Sequence, residues 1–396
     1  SFKYELNGLW KFAYARNLNL AVKGFEAADY SAFDWDTIYV PAHIQMEGYD
    51  RPHYTNTQYP WDGREQIEPG EIPTDFNPVA HYVKYFNLPV HFREKRTILS
   101  FQGVESGAIV WLNGSYIGYS EDSFTPAEFD VSEYLVEGMN KLAVQVIKWT
   151  AGSWCEDQDF FRFSGIFRDV FLYCIPEVHI RDLKICTPLT EDFKQGKLEL
   201  EMDVIGEGSA KISLYNGDNP LFLENITLSG ITKASQVIEE PRLWSAESPA
   251  LYHLEIRVFD KSGTLQEIIP YDVGFRKFEI RDSIMHLNGK RIVFKGVNRH
   301  EFSSIGGRHV TREELIQDII TMKKNNINAI RTCHYPDDSA IYKLCDQYGL
   351  YMIDETNLET HGSWDAVARG VIGIEEAIPG DRPEWKQLIL DRANSM

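Results

Sequence analysis

The stretch from Lys295 to Trp364 constrains this chain most. Three short apolar runs, Arg291–Val297, Ile327–Thr332 and Leu350–Ile353, each meet a polar cluster. The clusters read GVNRHE (Gly296–Glu301), RTCHYP (Arg331–Pro336) and DETNLETHG (Asp354–Gly362). Two helical patterns lie between the runs, so the order is β-α-β-α-β. In a barrel of parallel strands the C-terminal strand ends are where catalytic groups collect. All three polar clusters fall on that rim.

The helical patterns carry their own punctuation. Thr311-Arg-Glu-Glu314 is a capping box, and Leu315, Ile319 and Met322 share one face of the helix it opens. A second helix follows Pro336, buries Ile341, Leu344, Cys345 and Tyr348, and stops at Gly349. A third is predicted from Arg382 onward, after Pro379-Gly380. A (β/α)8 barrel needs about 250 residues. Residues 276–396 hold only the start of one, so the expectation is a fragment, or a barrel completed by another polypeptide.

Upstream the pattern is different. Residues 1–175 show short alternating segments broken by Gly, Pro and Asn, with almost no helical period. Ala108–Leu112 and Tyr116–Tyr119 flank Asn113-Gly114, a two-residue hairpin signal, and Lys141–Lys148 alternates strictly. Phe167–Cys174 reads as another strand. This predicts a jelly-roll β-sandwich. The proline-rich stretch Arg51–Phe76 is too long for a plain connection and is expected to be functional or packed on a neighbouring domain. Residues 176–275, with strands at Leu198–Ile205, Ala210–Tyr215 and Tyr252–Phe259, suggest an immunoglobulin-like β-sandwich. A hairpin around Asn288-Gly289 opens the third unit. The fold class is therefore multidomain β plus α/β: a jelly roll, an immunoglobulin-like sandwich, then the first part of a TIM barrel.

A net charge of −19 repels phosphate backbones and anionic lipid, so neither nucleic acid nor a membrane is an expected partner. Five cysteines without a CxxC suggest neither a disulfide framework nor a zinc cluster, and reduced thiols fit a cytoplasmic protein. No basic and apolar leader opens the sequence, and no run is long enough to span a bilayer.

The rim carries His300, Glu301, Arg331, His334, Glu355, Glu359 and His361. One polar residue at a strand end is ordinarily just solvated. Seven at three successive strand ends point to a site for sugar recognition, metal binding or acid/base work. Glu359 and His361 lie two apart, so in extended chain both side chains point one way and could form half of a divalent cation site. Asp157-Gln-Asp159 precedes the aromatic and basic run Phe160–Phe163, which suits a substrate edge. On spacing alone, Glu355 and Glu359 could serve as a carboxyl pair.

The motifs LNGLWKF, YTNTQYPW, EDQDFFRFSGIFRDV, GVNRHE, NAIRTCHYP and YGLYMIDETNLETHG span nearly the whole chain in order. With them the chain resembles the bacterial β-galactosidases of glycoside hydrolase family 2. That resemblance implies hydrolysis of terminal non-reducing β-D-galactose by a retaining double displacement. It implies that Asn56 reaches the galactose site from the first domain. Asp159 would bind the sugar 6-hydroxyl and a sodium ion, and His300 and His334 the galactose hydroxyls. Arg331 would position the nucleophile, and Glu359 and His361 would ligate magnesium. Glu355 would become a structural group.

The family's acid/base glutamate sits in an Asn-Glu pair after a further strand, and its nucleophile lies beyond that. Neither is present, and both glutamates are expected beyond Met396. No catalytic carboxyl is therefore expected within the chain, and the chain alone is expected to be inactive. A β-galactoside is the implied substrate, and the whole enzyme would be a homo-oligomer. A family-2 β-glucuronidase or β-mannosidase would share the fold, and a non-catalytic galactose-binding or complementation piece is the other class kept open.

Overall fold

The computed structural model describes residues 2–396. The first unit is a sandwich of a six-stranded and a four-stranded antiparallel sheet. Its centre is aromatic and aliphatic: Trp10, Phe12, Tyr82, Phe101, Val110, Val144 and Leu172 are all buried there. The hairpin at Asn113-Gly114 forms between strands Gly107–Leu112 and Ser115–Ser120. Both turn residues have positive φ, 52° and 86°, as the tight hairpin turn requires. The strand expected at Phe167–Cys174 starts later, at Val170, and ends at Ile175. Phe167 and Arg168 leave the sheet, and their side chains turn toward the barrel.

The second unit is a β-sandwich around Leu200, Met202, Ile212, Leu254, Ile256 and Phe275. The two strands read at Leu198–Ile205 and Ala210–Tyr215 are one strand, Gln195–Asn216. The register shifts between Val204 and Glu207, so Gly206 is accommodated in a bulge instead of ending the strand. Strand Asn219–Glu239 pairs with it and was not visible as a strand in the sequence.

The third unit opens with the hairpin Phe278–Arg281 and Ile284–Leu287, turning at Asn288-Gly289 into Lys290–Arg291. The run read as a first barrel strand, Arg291–Val297, is therefore divided. Arg291 closes the hairpin, and the parallel strand is Gly296–Arg299. It pairs in parallel with Ala329–Thr332, which pairs in turn with Tyr351–Ile353. Helix Arg312–Lys324 starts at the Thr311/Glu314 capping box and buries Leu315, Ile319 and Met322. Helix Ala340–Tyr348 ends at Gly349, whose φ of 79° is the left-handed cap that glycine favours. Tyr348 is only partly buried against this core. A short helix, His361–Ala368, was not foreseen, and the last helix is Lys386–Ser395, after a turn at Pro383–Trp385. Met396 follows that helix, and its N–H donates to the Arg392 carbonyl at 3.2 Å.

The jelly roll and the barrel segment are joined by backbone. Jelly-roll residues Glu156–Asp157 pair in parallel with Glu359–Thr360. The long Arg51–Phe76 stretch packs here as well: Tyr59 and Trp61 stack on each other and join Trp154, Ile378 and Trp385 in a small core. Among the described residues, no helix is long and apolar enough to cross a membrane.

Candidate active site

The barrel strands carry the polar clusters to one end. Arg331, next to last in its strand, has Nε 2.7 Å from Glu355 Oε2, and its Nη2 donates to Glu355 Oε1 at 2.9 Å. The same Nη2 lies 3.2 Å from His334 Nδ1, and Nη1 reaches Asn298 Oδ1 at 3.3 Å. Glu355 is thus held two-pronged by Arg331 and lies 3.3 Å from His334 Nδ1. The His300 ring faces that of His334 edge-on, with centroids 5.6 Å apart, and its Nδ1 is 3.3 Å from the Tyr335 hydroxyl. Partial desolvation of its ring lowers the proton affinity of His300, with the charges of His334 and Arg308 acting in the same sense and Asp159 opposing them.

His300 and its neighbour part company just beyond the end of strand Gly296–Arg299. His300 is exposed, whereas Glu301 is 1% exposed and points the other way. Glu301 Oε2 accepts from Arg168 Nη2 at 2.7 Å, and its Oε1 accepts from the Asp338 N–H at 2.9 Å. Arg168 also donates to the carbonyls of Phe124 and Pro336. Glu301 therefore belongs to the buried joint between jelly roll and barrel, not to the rim cluster in which the sequence reading placed it.

The jelly roll supplies the facing edge. Strand His53–Thr55 pairs with Phe160–Arg162, the last rung being Thr55 with Phe160. Asn56 and Asp159 are the next residues on the two strands, and Asn56 is exposed. The Tyr54 hydroxyl donates to Asp159 Oδ1. The strand breaks at Gln158 and Asp159, and that break parts the two acids. Asp157 is buried, paired with Arg162 at 2.6 Å, and accepts the Gly362 N–H at 2.7 Å. Asp159 is half-buried on the cluster side, close enough to act on the His300 charge. Gln158 between them donates to Asn357 Oδ1 at 2.9 Å and to the His334 carbonyl at 3.3 Å.

Glu359 and His361 do come together, though not as neighbours on one extended strand. Glu359 lies in the two-residue strand, and its N–H donates to the Cys155 carbonyl at 2.8 Å. His361 is the first residue of the unforeseen helix. The turn into that helix still leaves His361 Nδ1 3.4 Å from Glu359 Oε1. That nitrogen is buried without a hydrogen-bond partner, and the ring stacks on Trp364 at 4.3 Å. Burial raises the proton affinity of Glu359, opposed by the charges of His334 and His361 and assisted by Glu355. Those dependences tie Glu359 to the same cluster as His334 and Glu355.

Met396, beyond which both catalytic glutamates were expected, has no part in this cluster. Its side chain is exposed, and its Sδ accepts from the Thr356 hydroxyl at 2.9 Å. Thr356 directly follows Glu355, so the last residue lies against the loop that carries the third polar cluster.

One residue of the cluster was missed at the sequence level. Cys333 is buried directly behind the two histidines, and ligand atoms of His300, Cys333 and His334 all lie within 4.8 Å of one another. The sequence signal, Cys333-His334, lacked its third member because His300 arrives from another strand. Burial pushes the Cys333 thiol up to about 11. All five cysteines are free thiols. A separate cleft of about 790 Å³ runs along the sheet past Phe294, Val297, Ile330 and Met352 and meets the cluster at Arg331.

The site is therefore an acid, imidazole and guanidinium cluster shared by two domains, fitted to bind hydroxyls and a hard cation. Three family models match in sequence: the family-2 glycosyl hydrolase sugar-binding domain over residues 3–176, the family-2 glycosyl hydrolase domain over 178–276, and the family-2 TIM barrel domain over 278–396. A β-galactosidase of Halalkalibacterium halodurans is 50% identical over the whole chain, which spans 39% of that protein. One from Clostridium acetobutylicum is 48% identical, again over the whole chain and 44% of its own length. A Bifidobacterium dentium β-glucuronidase structure superposes with a TM-score of 0.77 at 22% identity, over 96% of this chain and 65% of that one, a likeness of fold. With consecutive matches to the three domains from residue 3 to residue 396, the chain belongs to glycoside hydrolase family 2.

Proposed function

We propose that this chain carries the galactose-binding and metal-binding part of a retaining β-galactosidase acting on terminal β-D-galactose. The observation that carries this reading is the shared cluster. The Tyr54–Asp159 edge of the jelly roll meets His300, His334 and Arg331 on the barrel, with Glu359 and His361 beside them. Asp159, with Asn56 next to it, takes the sugar 6-hydroxyl. His300 and His334 donate to or accept from the ring hydroxyls, and Arg331 presents a rigid donor fork toward the reacting carbon. A second family activity, glucuronide hydrolysis, would put a sugar carboxylate against Asp159, and like charges at that range repel.

A retaining reaction needs two carboxyls about 5–5.5 Å apart, one to attack and one to pass the proton. The rim carboxylates are already engaged, Glu355 by Arg331 and Glu359 beside His361, and Glu301 is paired with Arg168 in the joint. The reading is thus that these 396 residues bind galactose without turning it over. Glu359 and His361 fit a magnesium site, because the buried His361 Nδ1 has no hydrogen-bond partner and faces the Glu359 carboxylate. Bound there, the ion would supply positive charge beside the reacting centre. Asp159, half-buried with the Tyr54 hydroxyl on one oxygen, offers its carboxylate to sodium. A cytoplasmic setting suits five free thiols, and the whole enzyme is read as a homo-oligomer.

Calorimetry with galactose and an assay with nitrophenyl β-galactoside test this. Galactose binding without turnover is the expected result. Turnover at the rate of a complete enzyme would return Glu355 and Glu359 as catalytic groups. Binding of glucuronate in preference to galactose would transfer the chain to the other activity.

A further inference from the structure

We propose that His300, Cys333 and His334 form a site for a borderline-soft divalent cation, with Zn²⁺ as the type ion, that overlaps the sugar pocket so that cation and galactose exclude each other. The overlap rests on the galactose reading of His300 and His334; the metal site does not.

The donor set decides the class of ion. Two imidazoles and a thiolate match zinc and its neighbours, whereas magnesium takes oxygen ligands and keeps its waters. The chain thus offers donors for two chemically distinct cation sites, a hard one at Glu359 and His361 and a soft one at His300, Cys333 and His334. Distances are compatible. The three ligand atoms lie within 4.8 Å of one another, while tetrahedral zinc with bonds of about 2.0–2.3 Å sets its ligands about 3.4–3.6 Å apart. A movement of about 1 Å closes the site. His300, exposed at the end of its strand, is the ligand free to make it. Cys333 is fixed, its N–H donating to the Arg299 carbonyl at 3.0 Å.

The surroundings are those of a ligated histidine. His334 Nδ1 stands 3.3 Å from Glu355 Oε1, and His300 Nδ1 is 3.3 Å from the Tyr335 hydroxyl. With a proton on Nδ1 directed at each oxygen, which in His334 gives up the Arg331 Nη2 donor 3.2 Å away, Nε2 of each ring keeps its lone pair for the metal. A carboxylate behind a histidine in this way orients the ring and raises its basicity. The Arg331 guanidinium, 3.2 Å from His334, and the Arg308 charge oppose a cation, while Glu355, Glu359 and Asp159 favour one. On binding, the Cys333 thiol releases its proton to solvent as the sulfur–metal bond forms, and the two neutral imidazoles release none. A fourth position stays open to water or to a sugar hydroxyl.

The test uses the 396-residue chain with zinc alone, then with Co²⁺ as a spectroscopic stand-in. Calorimetry should show one zinc bound per chain with about one proton released. Cobalt should give a thiolate-to-metal charge-transfer absorption. Cys333→Ser should abolish that absorption and weaken zinc by more than about a hundredfold, since even partners of ligands are worth 10–100-fold. His300→Gln, at an exposed position, should weaken zinc similarly with the fold intact. Saturating galactose should raise the apparent zinc dissociation constant. No zinc bound at micromolar concentration, or zinc bound equally well by Cys333→Ser and His300→Gln, overturns the site. Zinc bound normally by a chain that binds no galactose leaves the metal site standing and removes the sugar reading instead. Zinc and galactose bound together, each undisturbed, overturns the exclusion.

Discussion

Replacing Glu301 by alanine probes the joint that holds His300 in place. Arg168 and Glu301 have side-chain exposures of 6% and 1%, and the pair closes at 2.7 Å. Removing one partner of a buried pair leaves an uncompensated charge and costs about 3–5 kcal/mol. Arg168 would keep the Phe124 and Pro336 carbonyls, which accept its protons without neutralising it. One term works the other way. Burial, then the Glu301 charge, pushes the nearby Asp337 carboxyl up to about 8, so losing Glu301 relieves it. The lower end of the range, about 3 kcal/mol, is the expected loss. In urea denaturation followed by tryptophan fluorescence this moves the midpoint of the jelly-roll–barrel transition down by about 1–2 M. Glu301→Gln keeps the hydrogen bonds and should lose less. Replacing both partners together, Arg168→Met with Glu301→Leu, should recover much of the loss. A Glu301→Ala chain within about 1 kcal/mol of the parent would refute the assignment of Glu301 to the joint and return it to the rim.

Asp159→Asn should weaken galactose ten- to a hundredfold more than 6-deoxygalactose, since a hydrogen bond to a charged group is worth roughly 1.5–3 kcal/mol; equal losses by calorimetry would make Asp159 purely structural. Magnesium should bind the chain weakly, above micromolar, through one carboxylate and one imidazole, and Glu359→Gln should remove that binding; a tight or unchanged isotherm counts against the Glu359–His361 site. His43 is buried between Phe163 and Phe167, and burial, then Arg308, holds its proton affinity well below the usual histidine value. Below the unfolded value of about 6.5 the unfolded chain takes up a proton that folded His43 refuses, so stability falls as pH falls, by up to about 1.4 kcal/mol per unit. His43→Phe should flatten that part of the stability profile, and identical acid sensitivity in parent and variant would contradict it.

Much of this architecture was legible because local rules agreed with the fold. Asn113-Gly114, Asn288-Gly289, the Thr311/Glu314 box and Gly349 all do what their chemistry asks. The failures have physical causes. Gly206 and Gly208 look like a strand break, and a bulge carries the ladder through them. Strand Asn219–Glu239 buries little, so it lacks the apolar alternation that marks a strand. Within the candidate site, residue types pointed to groups that the fold does bring together, but facing did not follow from them. His300 and Glu301 part company because Arg168 and the Asp338 N–H draw Glu301 into the joint, and Asp159 joins the cluster through a domain contact roughly 140 positions away in sequence. The Cys333 contact with His300 is of the same non-local kind.

The parallel pairing of Glu156–Asp157 with Glu359–Thr360 has a consequence for how such a protein can diverge. The strand breaks at Gln158 and Asp159, so one residue inserted between Asp157 and Asp159 would leave the paired rungs in place and move Asp159 off the bend that aims it at the cluster. Length changes in that segment are therefore forbidden even where substitutions are not. The exposed turn around Gly63, by contrast, can lengthen without moving the pairing. Variation in sugar preference in a chain of this design has to come by exchanging side chains on a frame of fixed length, with insertions confined to the outer loop.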